Sequence, residues 1–251
     1  MSRSLSVVMP VYNEEESIEA AVAEVKEQVL DRVPGSELCV VDDGSRDRTA
    51  EILDRLASAD GRVRVVHQRN GGHGAAILTG LRSTTADWIL LVDSDRQIVL
   101  DCFGLAWQRR VGVDAVFGER SHRDDPAVRK LVSAVLKLQL RTVYGLTFAD
   151  ANAPFKLISR GMWDRARQVI PSSCLIPSVF LAVYAHRTGL RTEHIPVAYR
   201  KRSAGRTTLR KLKLIKFSAR SFAQLVAFRA ALVAVAGVER NPVPAPAAKK
   251  L

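Results

Sequence analysis

Two carboxylates separated by one small residue, Asp93-Ser94-Asp95, stand directly behind the apolar run Trp88–Val92. Oxygen ligands at that spacing suit a hard divalent cation, Mg²⁺ or Mn²⁺, which in turn carries the oxygens of a diphosphate. On its own the pair is as ordinary as any acidic loop. Its position gives it weight. Trp88–Val92 is short, unbroken and rich in β-formers, as a strand reads when both faces are buried. In open α/β sheets, ligands bind outside the carboxyl ends of such strands.

Other segments repeat that strand-then-polar-loop arrangement. Leu5–Met9 is apolar and β-branched and leads into Pro10-Val11-Tyr12-Asn13-Glu14. Leu38–Val41 leads into Asp42-Asp43-Gly44-Ser45, and Val63–Val66 precedes Gly71-Gly72-His73-Gly74. Helices fit between them. Asn13 with Glu16 reads as a capping box ahead of an apolar face at Ile18, Val22, Val25 and Val29. A second helix is expected from about Thr49 and a third from Ala75 to about Ser83. Strand–loop–helix units in series predict an α/β fold with a mostly parallel sheet flanked by helices.

The second half is less regular. Ala115–Phe117 reads as a strand before Gly118-Glu119-Arg120, and Pro126 opens a long helix that Gly145 ends. Asp150–Ser159 is an irregular turn running into a strand. Two helical stretches follow, split by Pro171 and Pro177, then a last strand at His194–Ala198. From Leu209 to about Val235 a basic amphipathic helix is expected. The boundaries this gives are a catalytic domain over 1–208, a helical extension over 209–238 and a disordered tail over 239–251.

Composition narrows the class. With 251 residues, 47% of them hydrophobic, the chain can bury a large core. Its three cysteines have no ligand spacing, which fits a reducing compartment, and Met1–Ser6 runs straight into a strand with no leader pattern. The longest apolar stretch, Ser221–Val238, contains Gln224 and Arg229, and a mid-span arginine is costly in a bilayer, so no spanning segment is read. The net charge of +12 calls for an anionic partner. The excess gathers late, from Arg200 to Arg220. No recognition motif points to nucleic acid, which leaves a phosphorylated substrate or an anionic membrane surface.

The three segments ending in Glu14, Ser45 and Gln97, in that order and each behind a strand, resemble the family-two glycosyltransferases of GT-A (Rossmann-like) fold. Within that family, Arg69–Gly80 and Asp93-x-Asp95-x-Gln97 are similar to dolichyl-phosphate mannose synthase and its bacterial polyprenyl-phosphate relatives. The likeness covers roughly residues 5–210. It implies a GDP- or UDP-sugar donor, with Mg²⁺ or Mn²⁺ held by Asp93, Asp95 and Gln97. Pro10 and Tyr12 would wall the base and ribose, Glu14 would take ribose hydroxyls, and Asp42 or Asp43 would accept from a base N–H. Gly72 and Gly74 would let backbone approach the diphosphate. The plainer alternatives are a core aromatic for Tyr12 and a helix N-terminal acid for Glu14. His73, where the family carries an apolar residue, reads as a loop residue.

For the acceptor, the resemblance points to a lipid phosphate. Hydroxyl-acceptor relatives carry an acidic pair as general base, whereas Ser172–Ser178 holds no carboxylate. A phosphate is already an anion and needs cations instead. Arg120 and Arg129 match the family's lipid-phosphate arginines, and Asp150 is kept although a Ser-Gly pair is replaced by Ala153-Pro154. Arg202 lies in a basic loop that would close over the diphosphate. This reading makes the chain a metal-dependent inverting enzyme, peripheral at the cytoplasmic face of a membrane and possible as an oligomer. Two rivals remain: the same chemistry on a hydroxyl with Asp150 as base, and a nucleotide- or nucleic-acid-binding protein without catalysis.

Overall fold

The computed structural model describes residues 4–120, 127–200 and 211–238. Its strands are β1 (Leu5–Val11), β2 (Glu37–Asp42), β3 (Val63–His67), β4 (Trp88–Leu91), β5 (Ala115–Arg120), β6 (Lys156–Ser159) and β7 (Thr192–Val197). The helices are α1 (Ile18–Gln28), α2 (Thr49–Ala59), α3 (His73–Ser83), α4 (Phe103–Arg109), α5 (Ala127–Tyr144), α6 (Arg160–Ala166), α7 (Pro177–Arg187) and α8 (Lys211–Val238).

The strands form one seven-stranded sheet in the order β3-β2-β1-β4-β6-β5-β7. β1 and β4 are buried along their whole length. Alternate residues explain why: Leu5, Val7 and Met9 join a core under α1, α2 and α4, while Val8 joins the core under α3 and α5 to α8. This three-layer α/β architecture is the one the sequence pattern predicts. One strand departs from it. β6 runs antiparallel to both β4 and β5, so it starts where they end, with Lys156 opposite Leu91 and Phe117.

Strand order reverses between β1 and β4. The chain builds outward through β2 and β3, then returns to lay β4 on the other side of β1. Such a switch point splays the loops that follow the two strands and opens a crevice at their carboxyl ends. Pro10 to Glu14 and Asp93 to Asp95 are the loops at this crevice.

Two local expectations need correction. The capping box at Asn13 and Glu16 does not form: α1 begins at Ile18 after Ser17. Asn13 instead has a φ of 52°, and its Oδ1 accepts from Arg46 N at 2.8 Å while its own N–H donates to Ser45 Oγ at 3.0 Å. The asparagine therefore stitches two site loops together. The third helix begins at His73 rather than Ala75, so His73 is helical and not a loop residue. Leu225 and Phe228, on the helix expected from Leu209, are buried. Phe228 stacks on Phe180 at 4.5 Å between ring centroids, and Tyr144 Oη donates to Leu225 O at 2.6 Å. One stripe of α8 (Ser221, Leu225, Phe228, Leu232) thus completes the core. No helix of the described residues is long and apolar enough to cross a membrane.

Candidate active site

A cleft of about 670 Å³ lies at the switch point. It gathers residues far apart in sequence: Pro10, Tyr12 and Glu14 from the loop after β1, Asp43 from that after β2, Gly72 and His73 at the start of α3, and Asp93 and Asp95 after β4. Tyr12 is 42% exposed, which excludes the core-aromatic alternative. Glu14 Oε2 accepts from Ser17 Oγ at 2.7 Å, and its carbonyl takes the first amides of α1.

The two adjacent aspartates do different things. Asp43 faces the cleft, and its oxygens accept from Gly71 N and Gly72 N, both at 2.8 Å, and from Gln68 Nε2 at 2.6 Å. It folds the glycine loop, whose Gly72 has a φ of 89° that a side chain would strain. Asp42 does not line the cleft. Its Oδ1 accepts from Ser45 N and its Oδ2 lies 3.0 Å from His67 Nδ1, whose other ring nitrogen meets Asp54. The hydrogen bonds to Asp42 and then Asp54 hold the His67 pKa above its ordinary value.

Asp93 sits on the cleft floor with about a third of its side chain still open, 31% exposed. Desolvation there pushes its pKa up; His73, whose Nε2 is 3.7 Å from Asp93 Oδ1, opposes that and Asp95 adds to it. Asp95 Oδ1 accepts from Gln97 N at 3.1 Å. The turn between them is strained, since Arg96 adopts a φ of 55°, and Arg96 Nε is anchored to Glu24 at 2.8 Å. Gln97 is buried and lines neither this cleft nor its neighbour. Among the described residues no cluster of three or more His, Cys, Asp or Glu could hold a metal. Two carboxylates facing an open cleft suit Mg²⁺ or Mn²⁺ of the kind completed by substrate phosphates, because such ions take few protein ligands. A desolvated Asp93 with no hydrogen-bonding partner among the described residues fits that need.

A second cavity of about 520 Å³ continues past Asp93 and shares Pro10, Gly72, His73 and Asp93 with the first. Its far wall is the segment Ser173–Ser178, pressed on the start of α3. Gly74 is obligatory there, since a Cβ would fall 2.4 Å from Cys174 O. Gly74 thus has a packing reason independent of any phosphate. The other side of that segment is clamped by α8, whose Gln224 accepts from Leu175 N at 2.9 Å and donates to Ser173 O at 2.8 Å.

Arg120 and Asp150 form a buried bidentate pair, at 2.5 and 2.9 Å, with side chains 9% and 5% exposed. Asp150 borders a separate small pocket of about 60 Å³ with Ser133 and Asn152. Arg129 belongs to α5, but its side chain lies outside the described residues, as does Arg202 altogether. The backbone leading to Arg202 departs from beside the site, where Arg200 N donates to Gln97 O at 2.7 Å.

Sequence reading passed over Lys156. Its signal was a lysine inside the apolar run Phe155-Lys156-Leu157-Ile158. The side chain is fully buried, donates to Ala153 O at 3.0 Å and lies 5.1 Å from the Phe117 ring centre. No carboxylate is within ion-pair distance of it among the described residues. Desolvation lowers its pKa to about 8, against the pull of Asp150. The unfolded chain, with the ordinary value of 10.5, binds more protons between those two pH values. Stability therefore rises as pH climbs through that window, and below it the full cost of burial is borne, about 3 kcal/mol. Lys156→Met should raise the urea midpoint at pH 7. Its advantage over the parent should shrink as the pH approaches 10.5. Equal midpoints at pH 7 would mean the buried ammonium is better solvated than its surroundings imply.

The model for Glycosyl transferase family 2 matches residues 6–142. Undecaprenyl-phosphate 4-deoxy-4-formamido-L-arabinose transferase of Pseudomonas aeruginosa PAO1 is 30% identical over 214 residues, which cover 84% of this chain and 62% of that protein. The Pectobacterium atrosepticum protein of the same name is 30% identical over 216 residues, covering 85% and 64%. The chain thus spans less than two thirds of the length of these relatives. Among solved structures, glucosyl-3-phosphoglycerate synthase from Mycobacterium tuberculosis, in complex with Mn²⁺, UDP-glucose and phosphoglyceric acid, aligns with a TM-score of 0.65 and 21% identity, covering 91% of this chain and 80% of that one. That likeness is one of fold.

Proposed function

The chain belongs to glycosyl transferase family 2, and from that premise we propose that it moves a sugar, with inversion, from a nucleoside diphosphate to a polyprenyl-type lipid phosphate. The observation that carries the proposal is the pair of joined cavities meeting at Asp93, the first lined by the four carboxylates Glu14, Asp43, Asp93 and Asp95, the second by Asp93, Arg220 and apolar side chains such as Ile77, Ile176 and Phe217. In the first, Pro10 and Tyr12 wall the base and ribose, and Glu14 and Asp43 supply acceptors for their hydroxyl and N–H groups. Asp93 and Asp95 would hold Mg²⁺ or Mn²⁺, which as a Lewis acid takes up charge on the departing diphosphate. The Mn²⁺ and UDP-glucose bound by the M. tuberculosis synthase support this class of donor.

In the second cavity the acceptor phosphate presents an oxygen to the anomeric carbon. The new bond to that oxygen forms as the bond to the diphosphate oxygen breaks, and the electron pair leaves with the diphosphate. No proton changes hands, so no general base is needed. The acceptors named for the P. aeruginosa and P. atrosepticum relatives support a polyprenyl phosphate. The hydroxyl-acceptor alternative requires Asp150 as base, and both of its oxygens already accept from the Arg120 guanidinium. Exposed apolar side chains on α8 (Phe222, Val226, Val233) and on α5 (Leu131, Leu138) favour a peripheral position on the membrane face where such lipids are loaded.

Thermal-shift measurements with UDP and with GDP, each with and without Mn²⁺, test the donor half. A ligand bound only by the folded state raises the melting temperature in step with its affinity. One nucleotide should stabilise the protein strongly with Mn²⁺ and weakly without it. No shift with either nucleotide in the presence of metal would remove the donor assignment.

A further inference from the structure

The acceptor-side cavity has one feature that the family motifs do not supply: helix α8 forms part of its wall. Phe217 and Arg220 both line it, and Gln224 grips the opposite segment through Leu175 N and Ser173 O. Positions 217, 220 and 224 share one helical face, next to the stripe at 221, 225, 228 and 232 that packs into the core. Burial of that stripe fixes the rotation of the helix, and the rotation turns Arg220 toward the cavity.

The charges of the cavity are few. Asp93 is the carboxylate at its inner end, and Arg220 is the sole lysine or arginine lining it among the described residues. No carboxylate lies within ion-pair distance of Arg220 among those residues, whereas Arg120 is joined bidentately to Asp150. The remaining surface comes largely from apolar side chains such as Ile77, Ile176, Pro177 and Phe217. A cavity of about 520 Å³ with one cation in an apolar wall matches a ligand that has an anionic head on a hydrocarbon chain. A polyhydroxylated acceptor would find few side-chain partners there beyond His73, Asn152, Ser173 and Ser178.

We infer that Arg220 of α8 binds the phosphate of the acceptor, with Phe217 and Ile176 flanking the first units of its chain. The inference rests on the lipid-phosphate reading above and adds a further residue that recognises the charge. It makes α8 part of the substrate site. A guanidinium can meet two phosphate oxygens at once, which a lysine ammonium reproduces poorly.

The test is binding of farnesyl phosphate, farnesol and inorganic phosphate to the full chain by calorimetry, for the parent, Arg220→Ala and Arg220→Lys. The parent should prefer farnesyl phosphate to both other probes. Arg220→Ala should weaken farnesyl phosphate roughly 10- to 100-fold, the range for loss of a charged hydrogen bond. It should leave farnesol, the Mn²⁺-nucleotide shift and the melting temperature unchanged, and Arg220→Lys should fall between. If Arg220→Ala binds farnesyl phosphate like the parent, Arg220 is not the phosphate ligand, and the lipid-phosphate reading stands without it. If the parent itself binds farnesyl phosphate no better than farnesol, that reading fails and takes this inference with it.

Discussion

Asp95→Ala should lower sugar transfer by roughly a thousandfold or more while the protein stays folded. Metal stabilisation of a leaving diphosphate is worth several kcal/mol, and each 1.4 kcal/mol is a factor of about ten in rate. The side chain stands at the end of a strand and is half-buried, and its one internal contact of note is the amide of Gln97 at 3.1 Å. Little of the fold depends on it. Asp93→Asn should be similarly inactive yet no less stable than the parent, because burial already disfavours the charge that asparagine lacks. Melting curves, donor hydrolysis and the Mn²⁺ dependence of nucleotide binding, measured on the same preparations, separate loss of metal from loss of fold. Near-normal turnover by Asp95→Ala, or indifference of the parent to chelator, would show that the carboxylate pair holds no catalytic ion.

The second large effect falls on the buried pair. Arg120→Ala strands Asp150, at 5% exposure, without its partner, and breaking a buried ion pair from one side costs about 3–5 kcal/mol. Urea denaturation at pH 7 should show that loss, and Arg120→Ala/Asp150→Ala should recover a large part of it, since the second change removes the stranded charge. A double variant as unstable as the sum of its parts would mean that the two side chains do not act as a pair. Activity adds a separate reading. Arg129→Ala should weaken use of a lipid phosphate and spare nucleotide affinity. Asp150→Asn should cost stability yet retain measurable transfer. A folded Asp150→Asn that binds nucleotide and transfers nothing, alongside a normal Arg129→Ala, would instead make Asp150 the base and a hydroxyl the acceptor.

The cleft at the switch point was legible in the sequence because each of its pieces is local. Strand periodicity locates Pro10, Asp43 and Asp93 at carboxyl ends, and a parallel sheet brings such ends together whatever the details. What local pattern could not separate is the division of work between Asp42 and Asp43. Both are buried, and only the register of β2 against β3, which sets Asp42 opposite His67, decides which one turns away. The second cavity was far less readable. Its wall depends on the antiparallel β6, on a segment held between Gly74 and Gln224, and on the rotation of α8. Each of these is a contact across long stretches of chain. Phe217, Leu225 and Phe228 carry the same apolar character in the sequence, yet one lines a cavity and two complete the core. Hydrophobicity announces burial and does not say against what.

The docking of α8 also sets an order of manufacture. A ribosome releases the chain from its amino end, and the early part of a protein can organise before the later part exists. The β1-to-β4 region, with every cleft residue from Pro10 to Asp95, is complete long before Phe217, Arg220 and Gln224 emerge. A nascent chain thus carries every residue of the switch-point cleft while the α8 wall of the second cavity is still unmade, with Phe180 awaiting its stack on Phe228. Proteolytic removal of α8 from the finished molecule would uncover Phe180 and open the second cavity to water on the side that Phe217 and Arg220 now close.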